Sequence, residues 1–236
     1  MLLAGETDAG KTTIMSIIMS SLPNDKKLYT IENGTREFDL EKRDQDDNII
    51  NNVVHTITKE SEDPKQAITQ QMLLEHGMTM NPDYICMAEI KGSEAFEAIE
   101  AALTGHPVIG TTHTDCCENI PDRLVQLASF KSSNLSDKTL YSLAVKAFPL
   151  VFYAEKMPDN VRRITEICEC QMVDEKPQFT TLYQFVTVKN EEVDGKIIVD
   201  GHFEKCGTIS EHLQKRLRKK GIPEKLLQVF TGGEKT

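Results

Sequence analysis

The amino-acid sequence predicts an α/β fold with a mostly parallel sheet flanked by helices. In the first half of the chain, short apolar runs alternate with helical patterns, which is typical of a parallel sheet covered by helices. After about residue 148, strand-like runs follow one another with turn residues between them, and this change predicts an antiparallel extension. We therefore expect a core at residues 1–148, and a β extension with C-terminal helices of the same domain at residues 149–236.

The predicted elements of the core alternate between the two types. The strands are predicted at Met1–Ala4, Leu28–Glu32, Val53–Ile57, Tyr84–Ala88 and Val108–Thr112. The helices are predicted at Thr12–Ser21, Pro64–Met78 and Ser93–Leu103. Ile14, Ile17 and Ile18 share one face of the first helix, and Pro64 suits a first helical turn.

The predicted extension is a series of hairpins followed by two helices. Its strands are predicted at Leu150–Tyr153, Arg163–Gln171, Phe179–Val188 and Lys196–Val199. The segments Met157–Asn160 and Val193–Gly195 carry turn-forming residues and separate two pairs of these strands. The helices are predicted around Ile209–Lys220 and Pro223–Phe230.

The charge and hydropathy patterns narrow the classes of function and location. The formal net charge of −10 argues against nonspecific nucleic-acid binding, which needs cations to neutralise phosphates. The basic run Lys215–Lys220 is interpreted as a solvated helix face, with contact to acidic lipid or a partner as the weaker alternative. The sequence contains neither a secretory signal nor an apolar stretch of about 18 residues, so a cytoplasmic protein is expected.

The six cysteines do not have the spacing of a zinc knuckle or a redox motif. Cys116 and Cys117 are adjacent, and Cys168 and Cys170 are two positions apart. Buried or half-buried free thiols are the favoured interpretation. A metal site built from Cys116, Cys117 and His113 is the alternative.

The strongest motif is a phosphate-binding loop that joins the first strand to the first helix. The segment GETDAGKT fits the pattern G-x-x-x-x-G-K-[ST]. Gly10 lets the backbone approach phosphates, Lys11 brings a positive charge to them, and the Thr12 hydroxyl is a magnesium ligand. The residues predicted to bind the nucleotide are Gly5, Glu6, Thr7, Asp8, Ala9, Gly10, Lys11, Thr12 and Thr13. The loop predicts nucleotide binding without defining the reaction.

Three further polar residues follow predicted strands. Glu89 ends an apolar strand in the position of a Walker B acid, where it can hold magnesium or its waters together with Thr12. Glu32 ends a second such strand and can orient an attacking water, with Glu37 as a nearby alternative. His113 follows a third strand and can sense the γ-phosphate, although a lone histidine is more often structural.

Several segments together resemble the secretion-ATPase superfamily of type II and type IV systems. GETDAGKTT resembles the Walker A of that superfamily and YTIENGTREF its acidic box. The segment NPDYICMAEIKGSEAFEAIEAALTGHPVIGTTHT resembles its joined Walker B and His box, and is the most specific. VRRITEICE and FTTLYQF are similar to the CpaF-like ATPases of tight-adherence pilus assembly and conjugation. The resemblance covers nearly the whole chain.

The resemblance implies a RecA-like C-terminal domain that acts in a hexameric ring on the cytoplasmic face of an inner-membrane complex. It implies magnesium-dependent ATP hydrolysis that drives secretion, pilus assembly or conjugative transfer. By the same resemblance, Lys11 and Thr12 bind phosphate and magnesium, Glu32 activates water, and Glu89 is the Walker B acid. His113 is the His-box residue, with His106 as a weaker second.

The sequence also departs from the superfamily. Its N-terminal domain, with arginines that reach a neighbouring nucleotide, is expected to be absent. Asn33, Lys91 and Thr79 replace an aspartate and two arginines that are frequent there. Arg123, Arg162 and Arg163 are candidates for compensating charge. A nucleotide-binding interaction module without turnover is therefore kept as the alternative, whereas a small-molecule kinase and a DNA pump find little support.

Overall fold

A computed structural model of the protein describes residues 1–132 and 134–232. The strands are β1 (Leu2–Gly5), β2 (Lys27–Glu32), β3 (Asn52–Ile57), β4 (Tyr84–Met87), β5 (Val108–Thr112), β6 (Leu150–Lys156), β7 (Arg162–Val173), β8 (Lys176–Val193) and β9 (Lys196–Lys205). The helices are α1 (Lys11–Ser20), α2 (Gln70–Thr79), α3 (Ala95–Leu103), α4 (Ile120–Ser129), α5 (Asp137–Ala147), α6 (Glu211–Lys219) and α7 (Glu224–Thr231).

The strands form one sheet in the order β3-β2-β4-β5-β1-β6-β7-β8-β9. The first six strands in that order are parallel, and β6 to β9 pair antiparallel. The predicted parallel sheet with an antiparallel extension is thus confirmed. Because β2, β4, β5 and β1 run in the same direction, the residues that follow them meet at one edge, which we call the C-terminal edge.

Helices cover both faces of the parallel strands. On one face, α3, α4 and α5 pack through buried residues such as Ile99, Leu124 and Leu140. On the other face, Met15 and Met19 of α1 pack against neighbouring strands. Strands β1, β4 and β5 are therefore buried almost throughout, as expected for strands covered on both sides.

The C-terminal helices pack on the antiparallel extension. Leu213 of α6 and Leu227 of α7 form a small core with Leu182 of β8. Glu169, buried on β7, accepts a hydrogen bond of 2.6 Å from the backbone N–H of Ser210, which precedes α6. These apolar contacts and this hydrogen bond hold α6 and α7 against the strands of the extension.

The observed elements differ from the predicted ones at α2, at α4 and α5, and in the strands of the extension. Helix α2 begins at Gln70 rather than Pro64, because the Thr69 hydroxyl accepts a hydrogen bond from Met72 N–H and caps the helix there. Helices α4 and α5 were not predicted, although Ser136 caps α5 in a recognisable pattern. Strands β6, β7, β8 and β9 all continue beyond their predicted ends. No helix within residues 1–132 and 134–232 has both the length and the apolar character needed to cross a lipid bilayer.

Candidate functional site

The phosphate-binding loop, residues 5–12, connects β1 to α1 at the C-terminal edge. Its path depends on its two glycines. Gly10 has a φ of 82°, and a Cβ atom there would lie 2.8 Å from the Arg162 side chain. At Gly5 a Cβ atom would overlap the carbonyl oxygen of Ala154 on β6. The loop can therefore close against β6 and β7 only with glycine at both positions.

The backbone amides of the loop form a set of free donors at the start of α1. Ala9 N–H donates to the carbonyl of Glu6 at 3.3 Å. Within the described ranges, the amides of residues 10–13 have no acceptor in the protein. Free N–H groups at a helix N-terminus are suited to bind a phosphate group, and the half-buried Thr12 hydroxyl beside them offers an oxygen ligand for magnesium. The donor set therefore fits a magnesium-bound nucleotide phosphate.

The Lys11 ammonium is held against the loop and is only 8% exposed. Its Nζ lies 2.9 Å from the carbonyl oxygen of Gly5 and 2.7 Å from that of Glu6. Burial lowers the pKa of Lys11, while the nearby charge of Glu89 opposes this shift. Lys11 therefore presents a partly desolvated positive charge at the mouth of the loop.

Three predicted site residues, each following a neighbouring strand, come together at the C-terminal edge. His113 Nδ1 lies 3.4 Å from Lys11 Nζ, and His113 Nε2 lies 3.0 Å from Glu89 Oε1. Lys91 Nζ lies 3.8 Å from the other oxygen of Glu89. A lysine ammonium has only donors, so His113 Nδ1 accepts from Lys11, which leaves the ring proton on Nε2, the nitrogen that lies near Glu89. The histidine connects the loop to the Walker B position.

A cavity of about 450 Å³ opens beside this group. Its lining includes Glu6, Thr7, His113, Thr114 and Asp115. The first two belong to the phosphate-binding loop, and the last three follow β5. The cavity therefore gives access from solvent to the loop and to His113.

Glu32, the predicted water-activating base, is fully buried and engaged on both carboxylate oxygens. Oε1 accepts hydrogen bonds from Thr30 Oγ1 at 2.6 Å and His55 Nδ1 at 2.8 Å. Oε2 accepts from the backbone N–H groups of Glu37 and Phe38, the latter at 2.9 Å. Burial raises the pKa of Glu32, but these hydrogen bonds outweigh burial and hold the pKa at about 2. The carboxylate thus anchors the loop that follows β2.

Glu37, the alternative acid, lies on the solvent side of that loop. The residue is exposed, in contrast to Glu32. Partial desolvation raises the pKa of Glu37 and the backbone of Asn33 lowers it; the negative charges of Glu32 and Glu89 raise it further, and Lys91 lowers it, so that the net shift is upward. Glu37 is therefore in electrostatic contact with the Walker B position and accessible to water.

Gln70, at the first position of α2, is a site residue that the sequence did not single out. Its Nε2 donates to the backbone carbonyl of Glu89 at 3.0 Å and to Oδ1 of Asn33. Asn33 stands where the superfamily often has aspartate, and an amide oxygen here accepts the hydrogen bond that a carboxylate oxygen would accept. Gln70 thereby joins the acidic box to the strand end that carries Glu89.

The antiparallel extension supports the phosphate-binding loop from behind. Asp8, at a φ of 66°, pairs with Lys156 at 2.9 Å and with Arg162. Arg162 Nε also donates to the carbonyl of Asp8 at 2.8 Å. Hydrogen bonds from Lys156 and Arg162 lower the pKa of Asp8 to about 2. Of the three candidate arginines, Arg162 contacts the loop, whereas Arg163 pairs with Asp159.

Two weaker sequence candidates lie elsewhere. His106 precedes β5 and therefore sits at the edge of the sheet opposite the loop. Among the described residues, the possible metal ligands that lie close together are Cys117, Glu166 and Cys168. The alternative ligands Cys116 and His113, which the sequence suggested together with Cys117, are not part of this group. Arg123 hydrogen-bonds Gln126 at 2.9 Å within α4.

The parallel core, the loop at a helix N-terminus and the acid on the adjacent strand define a P-loop nucleotide-binding protein of RecA-like fold. The chain belongs to the type II/IV secretion system protein family, whose profile matches residues 1–228. This result confirms the resemblance at the level of the superfamily; the narrower CpaF-like assignment stays a prediction.

The comparisons with individual proteins agree with this family. The chain is 34% identical to the type IV secretion system protein VirB11 of Brucella suis over 127 residues, which are 52% of this chain and 33% of VirB11. It is 30% identical to the type IV secretion system protein PtlH of Bordetella pertussis over 173 residues, which are 71% of this chain and 49% of PtlH.

A solved structure resembles the chain over a similar extent. The crystal structure of the VirB11 ATPase from the Brucella suis type IV secretion system, in complex with sulphate, superposes with a TM-score of 0.59 and 28% identity. The match covers 71% of this chain and 47% of that one. The chain thus spans about a third to a half of the length of the relatives that it matches.

Proposed function

We propose that the chain binds ATP with magnesium at the phosphate-binding loop and hydrolyses it to ADP and phosphate. One observation carries the proposal. Lys11 and Glu89 flank His113 at 3.4 Å and 3.0 Å, beside a helix N-terminus whose amides at residues 10–13 have no acceptor in the described part of the protein. The amides and Lys11 can bind the oxygens of a terminal phosphate, and Glu89 lies beside them as an acid that can face magnesium.

Each residue of the group has a distinct proposed role. The amides at residues 10–13 and Lys11 bind the phosphate oxygens. Thr12 and Glu89 would hold magnesium, which supplies positive charge for the phosphate oxygens. His113, which lies between Lys11 and Glu89, would respond to the presence of the terminal phosphate and transmit the change to β5. Charge stabilisation and positioning, rather than covalent chemistry, are what phosphoryl transfer requires of these residues.

Two carboxylates compete for the role of the base that accepts the proton of the attacking water. Glu32 remains the residue favoured by the sequence, but four hydrogen bonds already occupy its two oxygens. Glu37 is exposed, and its raised pKa favours accepting a proton. We therefore propose Glu37 as the base and Glu32 as the residue that positions the Glu37 loop.

The wider role follows from the relatives. VirB11 and PtlH are type IV secretion system proteins. We propose that this chain is likewise the motor core of a secretion, pilus-assembly or conjugation machine, acting as a hexameric ring on the cytoplasmic side of an inner-membrane platform. Direct contact with nucleic acid is not expected, given the net charge of −10.

The binding step is tested by titrating the purified chain with ATP and magnesium, beside Lys11→Ala and the control Lys65→Ala. Lys65 is exposed and precedes α2, far along the chain from the loop. We expect Lys11→Ala to lose nucleotide affinity and Lys65→Ala to keep it. If the parent, Lys11→Ala and Lys65→Ala bind ATP equally tightly, the phosphate-binding loop is not the nucleotide site. ATP binding without turnover in the parent would favour the interaction-module alternative.

A further inference from the structure

We propose a second site, separate from the nucleotide site, in which Cys117, Glu166 and Cys168 bind a zinc ion. The Sγ atoms of both cysteines and a carboxylate oxygen of Glu166 all lie within 4.8 Å of one another. Ligand atoms around a tetrahedral zinc ion are separated by about 3.3–3.8 Å, given metal–ligand distances of about 2.0–2.3 Å. Small side-chain rotations would therefore bring the three groups onto one ion.

Two distant segments of the chain form this cluster, which we call the Cys117 cluster. Cys117 lies in the connection from β5 to α4, four positions after His113. Glu166 and Cys168 are two positions apart on β7 and so project from the same face of the sheet. Because the two segments belong to the core and the extension, a shared ion would join the His113 connection to β7.

The surroundings match the requirements of a zinc site. Both cysteines are fully buried, whereas Glu166 is half-buried, so a fourth ligand such as water can enter on the carboxylate side. Thr181 Oγ1 donates to Glu166 Oε1 at 2.9 Å, the kind of outer hydrogen bond that orients a metal ligand. Two thiolates and one carboxylate carry three negative charges, which a divalent cation largely offsets.

The protonation of the thiols gives the site a distinctive signature. The hydrogen-bonding contact with Cys168, followed by burial, raises the pKa of Cys117, so the Cys117 thiol keeps its proton in the absence of metal. Zinc binds thiolates, so zinc binding must displace the proton of Cys117. The released protons are measurable independently of nucleotide binding or hydrolysis.

The test uses the full chain, reduced and then freed of reductant under argon, without nucleotide or magnesium. Cobalt(II) and zinc(II) are added in turn as probes. We expect one equivalent of cobalt to give thiolate charge-transfer absorption, zinc to displace the cobalt, and calorimetry in buffers of different ionisation enthalpy to show proton release.

Variants separate the cluster from the other thiols. Cys117→Ser and Cys168→Ser should lose the absorption, and Thr181→Val should bind zinc about 10-fold more weakly. Cys170→Ser, which removes a buried thiol from the same strand outside the cluster, and Cys206→Ser should match the parent. Glu166→Gln, which preserves the shape of the side chain, should keep the fold by circular dichroism and weaken zinc binding.

Three results would overturn the proposal. The parent could give no thiolate absorption with cobalt, or Cys170→Ser could lose it as completely as Cys168→Ser. Mass spectrometry of the reduced and re-exposed chain could instead show loss of two hydrogens without a bound metal, which would make the pair a disulfide. Loss of ATP hydrolysis with normal zinc binding would leave this proposal standing and refute only the proposed function.

Discussion

His113 Nε2 lies 3.0 Å from Glu89 Oε1, so the residues that follow two adjacent parallel strands, β5 and β4, are in close polar contact. The opposite nitrogen of the same ring lies 3.4 Å from Lys11 Nζ, beyond the third strand, β1. A change at the phosphate-binding loop can therefore reach the Walker B strand through a single side chain.

Substituting His113 with glutamine should slow ATP turnover on the order of 100-fold, the usual cost of one misplaced polar group beside a phosphoryl transition state. ATP affinity should change little, because the amides and Lys11 still bind the phosphates. Steady-state kinetics check this, with His76→Gln, an exposed histidine on α2, as the control. Unchanged turnover in His113→Gln would remove the histidine from the proposed mechanism.

Glu37→Gln should lower turnover by about 100-fold or more, since an amide cannot accept the proton of water. The thermal midpoint should stay near that of the parent, because the Glu37 side chain is exposed. ATP turnover and thermal unfolding are measured for the parent, for Glu37→Gln and for the control Glu60→Gln, whose glutamate is also exposed. If Glu37→Gln hydrolyses ATP at the parental rate, Glu37 is not the base, and Glu32 becomes the remaining candidate.

Glu32→Gln should instead destabilise the fold, by about 1–3 kcal/mol, because the amide nitrogen replaces one acceptor in a set of four hydrogen bonds. Denaturant titration of the parent and the variant measures this difference. A variant as stable as the parent would show that the buried carboxylate is not an anchor of the loop.

The pH dependence of stability follows from the same group. The pKa of Glu32 is lowered from 4.5 to about 2, so its contribution is fully present above about pH 4.5 and is lost as the pH falls towards 2. The shift corresponds to about 3 kcal/mol. Unfolding free energies between pH 6 and pH 2.5 should fall less steeply for Glu32→Gln than for the parent; equal slopes would contradict the assignment.

Arg162→Ala should weaken ATP binding by up to about fivefold, the modest effect expected of an exposed ion pair, because Arg162 holds the loop through the side chain and the carbonyl of Asp8. Calorimetric titration measures the affinity, and the exposed Arg43→Ala is the matched control. The effect should shrink at high salt, which screens exposed ion pairs. If Arg162→Ala and Arg43→Ala both bind ATP as tightly as the parent, the extension does not hold the loop in its binding conformation.

The sequence predicted which candidate site residues lie close together where each of them follows a parallel strand. Lys11, Glu89 and His113 each follow an apolar run, and parallel strands bring such residues to one edge. It favoured Glu32 over Glu37 from position alone and could not show that the Glu32 carboxylate is already hydrogen-bonded, because one of its partners, His55, comes from the neighbouring strand β3. Gln70 was missed since Pro64 suggested an earlier start for its helix.

Long-range pairings were the least predictable features. Asp8 meets Arg162 across more than half of the chain, and nothing in the local pattern of either residue indicates the contact. The Cys117 cluster likewise depends on how the connection after β5 folds against β7. Helices α4 and α5 carry an amphipathic pattern that we did not interpret, although Ser136 is a recognisable cap.

The most direct test of ATP hydrolysis by this chain is its steady-state turnover with magnesium, measured beside Lys11→Ala and Lys65→Ala. We expect turnover in the parent and in Lys65→Ala, and its loss in Lys11→Ala, because Lys11 supplies the buried cation of the loop. A parent chain that binds ATP but releases no more phosphate than Lys11→Ala would contradict the proposed hydrolysis and leave a nucleotide-binding module.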